Sequence, residues 1–299
     1  MKQWLFILLV TMGLLACGGP QERKAQYRAK AQDYIQAGNY PKARVALRNV
    51  LKIDPKDAEA YFLVAQVEEK EKNWRNAVAN YQQVVELVPD HRDALLTLAK
   101  YYLEARLTDD VMRAADKVLA KVPQDPRAEA LKIAVRAQQD QIPEALDRAE
   151  ALSRRHPTEP DVAILLATLY GHQHRFQEAT STLQRALQAH PHNLDLLNNL
   201  KTILDQAKDD KATEQVLRQI IQEEPTFYDH RLKLARFYDQ RHAFDQAEVS
   251  LREALQIFPD HEQAWLALAD FLSLRRGKEA AEVAFRQAMK RLPYSTKIP

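Results

Sequence analysis

Histidine is the residue type whose spacing first suggests chemistry in this chain. His172 and His174 form one pair with a single residue between them, and His190 and His192 form a second pair soon after. Imidazole nitrogens are common metal ligands, so four histidines this close along the chain are compatible with a metal site. A helix is predicted between the two pairs and would hold them a helix length apart. We therefore favour solvated loop histidines and predict no metal site and no cofactor.

Other signatures of catalysis are missing from the sequence. The chain has no glycine-rich phosphate-binding loop, no Gly-x-Ser-x-Gly elbow and no His-Glu-x-x-His pair. Its carboxylates are scattered, and no two of them are spaced for acid–base catalysis. We therefore predict that the protein is not an enzyme.

The only cysteine, Cys17, is informative because of its position. Residues 1–3 carry one positive charge, and residues 4–16 form an apolar run interrupted only by Thr11 and Gly13. This run is shorter than the roughly 20 residues that span a bilayer, and a charged start before a short apolar run is typical of a secretory signal. A single cysteine also excludes an intramolecular disulfide and a cysteine metal cluster.

The apolar run ends in Leu-Leu-Ala-Cys17, which resembles the lipobox of bacterial lipoproteins. In that family the signal is cut before the cysteine, whose sulfur and new amino group are both acylated, and two or three acyl chains anchor a protein stably. The resemblance implies a signal peptide over residues 1–16 and a lipid on Cys17. Residues 17–23 are predicted to be a short tether, because Gly-Gly-Pro-Gln disfavours a helix. Gly18 in place of aspartate implies the outer membrane, facing the periplasm; an ordinary signal peptide with a chance cysteine is the alternative.

The overall charge argues against one class of partner. The 43 basic and 41 acidic residues give a formal charge of +2, with 46% hydrophobic and 28% charged residues. These fractions are typical of a globular chain. A nearly neutral chain has no general attraction for nucleic acid, so we predict no nucleic-acid partner.

Proline recurs at a fixed interval along almost the whole chain. Eight prolines are spaced by 34 residues with no insertion or deletion, namely Pro55, Pro89, Pro123, Pro157, Pro191, Pro225, Pro259 and Pro293. A fixed period of this length indicates repeated helix–turn–helix units. Counting back from the prolines predicts eight repeats and a tail over residues 296–299. The repeats are 24–57, 58–91, 92–125, 126–159, 160–193, 194–227, 228–261 and 262–295.

The last repeat shows the internal pattern most plainly. Trp265 precedes Leu268 and Ala269, and Ala281 and Phe285 follow before the ladder proline. An aromatic residue, Leu-small, Ala, an aromatic residue and Pro in this order resemble the tetratricopeptide repeat. The resemblance covers about nine tenths of the chain. It implies an all-α fold, a right-handed α-solenoid of about eight 34-residue helix–turn–helix repeats.

The same pattern can be interpreted from the residues themselves. Apolar residues at three- and four-residue spacing predict two amphipathic helices in each repeat. Alanines such as Ala77 and Ala179 are expected where the two helices approach closely, and large side chains such as Tyr81 and Leu183 should fill the space to the next pair. The turn between the helices carries residues that tolerate a left-handed backbone, Gly38 among them.

In the repeat family, ligands usually lie in the groove lined by the first helix of each pair. Carried over by position, the resemblance implies these partner-binding residues: Phe62, Gln66, Lys100, Thr168, His172, Asn198, Thr202, Asp205, Arg236 and Asp239. From the fifth to the seventh repeat this face is polar and suited to hydrogen-bond a peptide or a sugar. A polar surface that serves only solubility is the alternative.

The two resemblances together imply a non-catalytic scaffold that binds protein partners of the cell envelope and contacts the membrane through the lipid on Cys17. Similar lipoproteins serve exopolysaccharide synthesis or export, including those beside exosortase-type sorting systems, and we favour that pathway. The alternatives are a glycan-binding module and an assembly factor for a pilus secretin or an outer-membrane protein machine. Glycan binding normally needs exposed aromatic rings, and Phe62 is nearly the only one on the predicted face.

Overall fold

A computed structural model describes residues 19–293, and this range contains sixteen α-helices and no strand. The helices are α1 (Pro20–Gln36), α2 (Tyr40–Ile53), α3 (Ala58–Lys70), α4 (Trp74–Leu87), α5 (Arg92–Glu104), α6 (Thr108–Lys121), α7 (Pro126–Gln138), α8 (Ile142–Arg155), α9 (Pro160–His172), α10 (Phe176–Ala189), α11 (Leu194–Gln206), α12 (Asp210–Glu223), α13 (Tyr228–Gln240), α14 (Phe244–Ile257), α15 (Glu262–Arg275) and α16 (Lys278–Arg291). The predicted all-α fold of consecutive helix pairs is confirmed. The predicted signal peptide, Cys17 and the tail over residues 296–299 lie outside the described residues.

The chain divides into two compact halves, Met1–Ala145 and Leu146–Pro299. Within each half, an odd-numbered first helix packs against the even-numbered second helix that follows it, as in α1 with α2 and α9 with α10. No helix in the described part of the chain is both long enough and apolar enough to cross a membrane.

The ladder prolines stand at the end of every second helix. Each one follows the last helical residue by two positions, and the next first helix begins three positions later. At Pro89, the backbone N–H of His91 donates to the carbonyl of Val88 at 3.0 Å, which closes a turn around the proline. Proline suits this position because its fixed φ favours the turn and its missing N–H cannot extend the helix.

Polar side chains after the prolines begin several first helices. Asp125 accepts hydrogen bonds from the backbone N–H groups of Arg127 and Ala128, both at 3.0 Å, and its side chain is fully buried. It also accepts from Nε of Arg92, on the preceding first helix, at 2.5 Å. Asp57 occupies the same position two repeats earlier and caps α3 in the same way. These caps satisfy otherwise orphaned N–H groups and tie one repeat to the next.

The turn inside each repeat contains one residue with a left-handed backbone. Gly38 has φ +68 and Gly277 has φ +100, as their residue type suggests. The six repeats between them use a residue with a side chain at φ 57 to 62: Lys72, Arg106, Asp140, His174, Lys208 and His242. A side chain in this conformation costs roughly 1–2 kcal/mol, so these turns carry backbone strain that the helix pairs on either side impose.

Replacing Lys208 with glycine should raise the free energy of unfolding by up to about 1 kcal/mol, because glycine adopts this backbone without a Cβ clash. The converse change, Gly38→Ala, should lower it by about 1 kcal/mol. A Cβ at Gly38 would meet nothing within 4 Å, so the cost there is conformational and not steric contact with neighbours. Urea unfolding of both variants measures the two signs; a destabilised Lys208→Gly would contradict the strain.

Buried small and large side chains alternate along the second helices as predicted. Ala77 and Ala179 are fully buried where they face the first helix of their own pair. Four residues further on, Tyr81 and Leu183 are buried as well, at 1% and 0% exposure. The small residues permit close helix contact, and the large ones fill the space that a helix pair leaves open.

The predicted tether needs one correction. We expected residues 17–23 to be non-helical, but α1 begins at Pro20, so residues 20–23 form its first turn. Pro20 occupies a first-turn position, where its missing N–H is not needed and its fixed φ suits a helix. Lys24 then forms ion pairs with Asp54 at 2.8 Å and Asp57 at 3.1 Å, which holds this turn against the end of the first repeat.

Candidate partner-binding face

The first helices of the C-terminal half present one repeated position to solvent. Thr168 on α9, Thr202 on α11, Arg236 on α13 and Asp270 on α15 are spaced by 34 residues, and all four side chains are exposed. Among these helices, α9 packs against α11 and α13 against α15. We call this surface the first-helix face, and it also includes four predicted residues beside these positions, His172, Asn198, Asp205 and Asp239.

Short polar side chains on this face donate to their own helices. The Thr168 hydroxyl donates to the Ile164 carbonyl at 2.8 Å, and the Thr202 hydroxyl donates to the Asn198 carbonyl at 3.0 Å. Nδ2 of Asn198 donates to the Leu194 carbonyl at 2.7 Å. Hydroxyl and amide oxygens keep acceptor capacity after these bonds, so this part of the face is suited to accept hydrogen bonds from a ligand.

The two aspartates of this face are paired with arginines of the following repeat. Asp205 accepts from Nη2 of Arg241 at 2.8 Å, and Asp239 binds Arg275 through two bonds of 2.8 and 3.1 Å. The two pairs repeat the same geometry one repeat apart, and we call them the arginine–aspartate ladder. Both carboxylates are thus engaged within the chain and stitch consecutive first helices together.

Arg241 is held from several sides. Nε donates to Asp210 at 2.5 Å, and the guanidinium lies 3.9 Å from the centroid of the Phe237 ring. Partial burial works to raise the pKa of Asp205, but the hydrogen bond from Arg241 and the charges of Arg241 and Lys201 outweigh it. The pKa of Asp205 therefore lies below its ordinary value of 3.8.

Removing the ladder pair by Asp205→Asn and Arg241→Gln should reveal a coupling of about 0.5–1 kcal/mol at neutral pH in a double-mutant cycle. Because the folded-state pKa of Asp205 is depressed, this stabilisation exists above about pH 4 and is lost as the pH falls further through the folded value. Urea unfolding at neutral pH and at about pH 2 measures both terms. Thr202→Ala paired with Arg241→Gln is the control and should show no coupling, whereas coupling that persists in acid would contradict the assignment.

Arg236 and His172 are the predicted residues of this half that remain most accessible. Both side chains are exposed, and Arg236 forms no hydrogen bond or ion pair with another described residue. The histidine pairs at residues 172–174 and 190–192 are exposed in turns and helix ends. No group of three or more His, Cys, Asp or Glu residues within positions 19–293 is arranged to hold a metal ion.

In the N-terminal half the predicted residues are more enclosed. Phe62 is partly buried, with its ring 5.5 Å from that of Tyr81 and 5.0 Å from that of His91. Gln66 and Lys100 share one position of the repeat on α3 and α5 and are also partly buried. Phe62 therefore serves the packing of its repeat, which leaves the polar neighbours as the accessible part.

Sequence analysis missed an exposed aromatic pair. Trp74 begins α4 with 53% of its surface exposed, and its ring centroid lies 6.4 Å from that of Tyr101. The Tyr101 hydroxyl donates to Glu69 at 2.5 Å, which fixes the ring. The signal was available, since Tyr40, Phe176 and Phe244 occupy the same position of other repeats.

Comparison with known families decides the identity of the repeat. Models of the tetratricopeptide repeat match residues 31–72 and 69–133, where the structure has consecutive helix pairs of the same period. The chain is a tetratricopeptide repeat protein. A model of the coatomer epsilon subunit also matches residues 127–248. A search of curated proteins finds no significant match.

Solved structures are similar to this tetratricopeptide repeat protein at low sequence identity. Human IFIT1, solved as a dimer with m7Gppp-AAAA, has a TM-score of 0.56 and 15% identity, covering 93% of this chain and 73% of that chain. A tetratricopeptide repeat protein from Parabacteroides merdae ATCC 43184 has a TM-score of 0.48 and 11% identity over 84% of this chain and 99% of that one. Pseudomonas aeruginosa pilF has a TM-score of 0.46 and 20% identity over 76% and 99%. The likeness to IFIT1 concerns the fold alone.

Tetratricopeptide repeat proteins generally bind protein partners and are generally not catalysts. The fold therefore suggests an interaction scaffold. Exposed positions that recur on neighbouring first helices are the geometric feature that such a role requires, because an extended ligand can contact several repeats at once.

Proposed function

We propose that this tetratricopeptide repeat protein is a non-catalytic scaffold that binds protein partners along the first-helix face of its C-terminal half. One observation supports this most: Thr168, Thr202, Arg236 and Asp270 are exposed at one repeated position of four consecutive first helices. Two neutral acceptors are followed by a cation and an anion, an order suited to an extended peptide carrying complementary groups. Arg236 is the anchor we expect to matter most, since it has no internal partner to give up.

We further propose that the scaffold is a lipoprotein held by a lipid on Cys17 at the outer membrane, facing the periplasm. The support is the sequence Leu-Leu-Ala-Cys17 after a short apolar run. In that location it would serve an envelope machine, and exopolysaccharide synthesis or export, or exosortase-linked sorting, is the pathway we propose.

Replacing Cys17 with serine should transfer the protein from the membrane fraction to the soluble fraction, because serine offers no thiolate for acylation. Fractionation of cells after a high-salt wash measures the change. Substituting an exposed cysteine-free position, Gln184→Ser, is the control and should leave the protein on the membrane. A Cys17→Ser protein that remains there after the wash would overturn the anchor.

Site-specific photo-crosslinking in cells tests partner binding. The probe replaces Thr202, which is exposed on α11, and the control probe replaces Gln184, which is exposed on the second helix α10. We expect a discrete protein adduct from position 202 and none from position 184. The adduct should weaken when Arg236→Gln is added. Identical adducts from both positions, or none from either, would contradict the first-helix face.

Glycan binding is the second candidate, and the Trp74–Tyr101 pair favours it. An exposed indole beside a fixed tyrosine ring offers the stacking surface that sugars require. If the probe at position 202 gives a polydisperse product that glycosidase removes, the scaffold proposal is replaced by this one. Trp74→Ala should then abolish retention on an oligosaccharide column.

A further inference from the structure

A crevice runs between α12 and α14 on the side of the molecule formed by second helices. It encloses about 280 Å³, with α13 as its floor. An adjoining cavity of about 190 Å³ shares Arg218, Ser250 and Glu253 with it. This groove is separate from the first-helix face, and none of the residues predicted for binding lines it.

Arg231 stands in the floor of the crevice at a position that other repeats give to an aromatic or apolar side chain. One repeat later the equivalent residue is Trp265, whose Nε1 donates to the Pro259 carbonyl at 2.8 Å. Nη1 of Arg231 makes the equivalent bond to the Pro225 carbonyl at 2.7 Å. Arg231 therefore replaces the indole hydrogen bond but not its volume, and it places a cation where the repeat normally has an aromatic ring.

The positive charge of Arg231 is not neutralised within the described chain. Its guanidinium lies 5.6 Å from the Phe258 ring centroid and makes no ion pair with a residue between positions 19 and 293. Partial burial lowers the pKa of Arg231, and the charge of Glu253 opposes that effect only in part. Guanidinium has five N–H donors in a planar fork, so most of them remain for an anionic ligand.

The walls of the crevice combine a second cation with apolar side chains. Arg218 projects from α12 and donates to the Tyr238 hydroxyl at 2.8 Å, while 55% of its side chain stays exposed. Val249, Glu253 and Ile257 share one face of α14 at four-residue spacing. Val249 and Ile257 are 55% and 51% exposed, which is unusual for branched aliphatic residues of a folded chain.

We propose that this crevice binds a segment of a protein partner in which an aspartate or glutamate stands beside a branched aliphatic side chain. The carboxylate pairs with Arg231 and Arg218, whose forked donors match two carboxylate oxygens. The aliphatic side chain covers Val249 or Ile257 and removes apolar surface from water. Glu253 disfavours segments with two adjacent acids and so adds selectivity. The inference rests on the proposed function for the protein nature of the ligand, but it assigns a different face.

Three variants separate this crevice from the rest of the molecule. Arg231→Trp restores the residue found at Trp265, which fills the floor and keeps the hydrogen bond to Pro225. Arg218→Gln removes the second cation at an exposed position. Arg252→Gln is the matched control, because Arg252 occupies the same place one repeat later and pairs with Glu248 four residues before it, as Arg218 pairs with Glu214.

The test selects random twelve-residue peptides, displayed on phage, on the purified full-length protein. We expect enriched peptides with one acid beside Ile, Leu or Val. Their affinity should fall roughly tenfold or more in Arg231→Trp and in Arg218→Gln, and should not change in Arg252→Gln. Thermal unfolding confirms that the variants are folded, and Arg218→Gln keeps the test valid if Arg231→Trp is not.

Each other outcome has a distinct meaning. Peptides that bind Arg231→Trp and Arg218→Gln as tightly as the unaltered protein would overturn the crevice while leaving protein binding in place. If those peptides instead lose affinity in Arg236→Gln, the first-helix face is their site. Failure to enrich any peptide would overturn both this inference and the proposed function.

Discussion

Replacing Tyr81 with alanine should lower the free energy of unfolding of the N-terminal half by about 3–5 kcal/mol. The side chain is 1% exposed, and its ring packs edge-on against Phe62 at 5.5 Å between centroids. Alanine would leave a cavity between two helix pairs, in a fold where each repeat is supported only by its neighbours. Urea unfolding followed by tryptophan fluorescence measures the effect, because Trp74 begins the same helix α4.

Tyr81→Phe separates packing from hydrogen bonding. The Tyr81 hydroxyl donates to Glu69 at 2.7 Å, and Glu69 also accepts from Tyr101. Burial raises the pKa of Tyr81, and the negative charge of Glu69 adds to the effect, so the hydroxyl remains a donor. Phenylalanine should therefore cost only about 1–2 kcal/mol, since Glu69 keeps its second donor. Equal costs for alanine and phenylalanine would show that the hydrogen bond, and not the ring volume, carries the contribution.

The repeated features of the fold were predictable because each depends on residues close along the chain. A proline two residues after a helix, an alanine at the helix contact and a large residue four positions later all act within one repeat. Their 34-residue spacing then places every copy alike, which is why the buried positions of Ala77, Tyr81, Ala179 and Leu183 matched the pattern. Local signals determine a repeat fold to an unusual extent.

Contacts between repeats were not predicted, because they depend on how one helix pair is placed on the next. Asp205 and Asp239 were assigned to partner binding, and their pairing with Arg241 and Arg275 follows only from the spacing of neighbouring first helices. A comparison of the repeats would have given the signal, since both aspartates and both arginines recur after 34 residues. The same comparison identifies Arg231, which differs in kind from the residues at its position in other repeats.

Residue preference also gave way to geometry at two kinds of position. The turn inside a repeat keeps its left-handed backbone at Lys208 and His174, although neither residue type favours it. Pro20 begins a helix where a glycine- and proline-rich stretch indicated a tether. In both cases the flanking helices determine the backbone, and the single residue adapts at a cost of about 1 kcal/mol or none.

Replacing Ala179 with leucine should lower the free energy of unfolding of the C-terminal half by about 1–3 kcal/mol, because the larger side chain overfills the contact between α9 and α10. Ala179 has no exposed surface, and α9 presents buried Leu166, Ala167 and Tyr170 in the same pair. Leucine could be accommodated only by moving the helices apart, which would weaken their packing along the whole contact. A melting temperature and a urea midpoint equal to those of the unaltered protein would show that α10 does not approach α9 there.

Ala179→Val is the control, and the chain itself supplies the reason. The same position of the third and sixth repeats holds Val111 and Thr213, and both are fully buried. A β-branched side chain adds volume close to the backbone and fits this helix spacing in two of the repeats, whereas no repeat places a residue as long as leucine there. We therefore expect valine to cost less than about 1 kcal/mol and leucine clearly more. That order identifies close helix approach, and not hydrophobicity, as the property that alanine provides at this position.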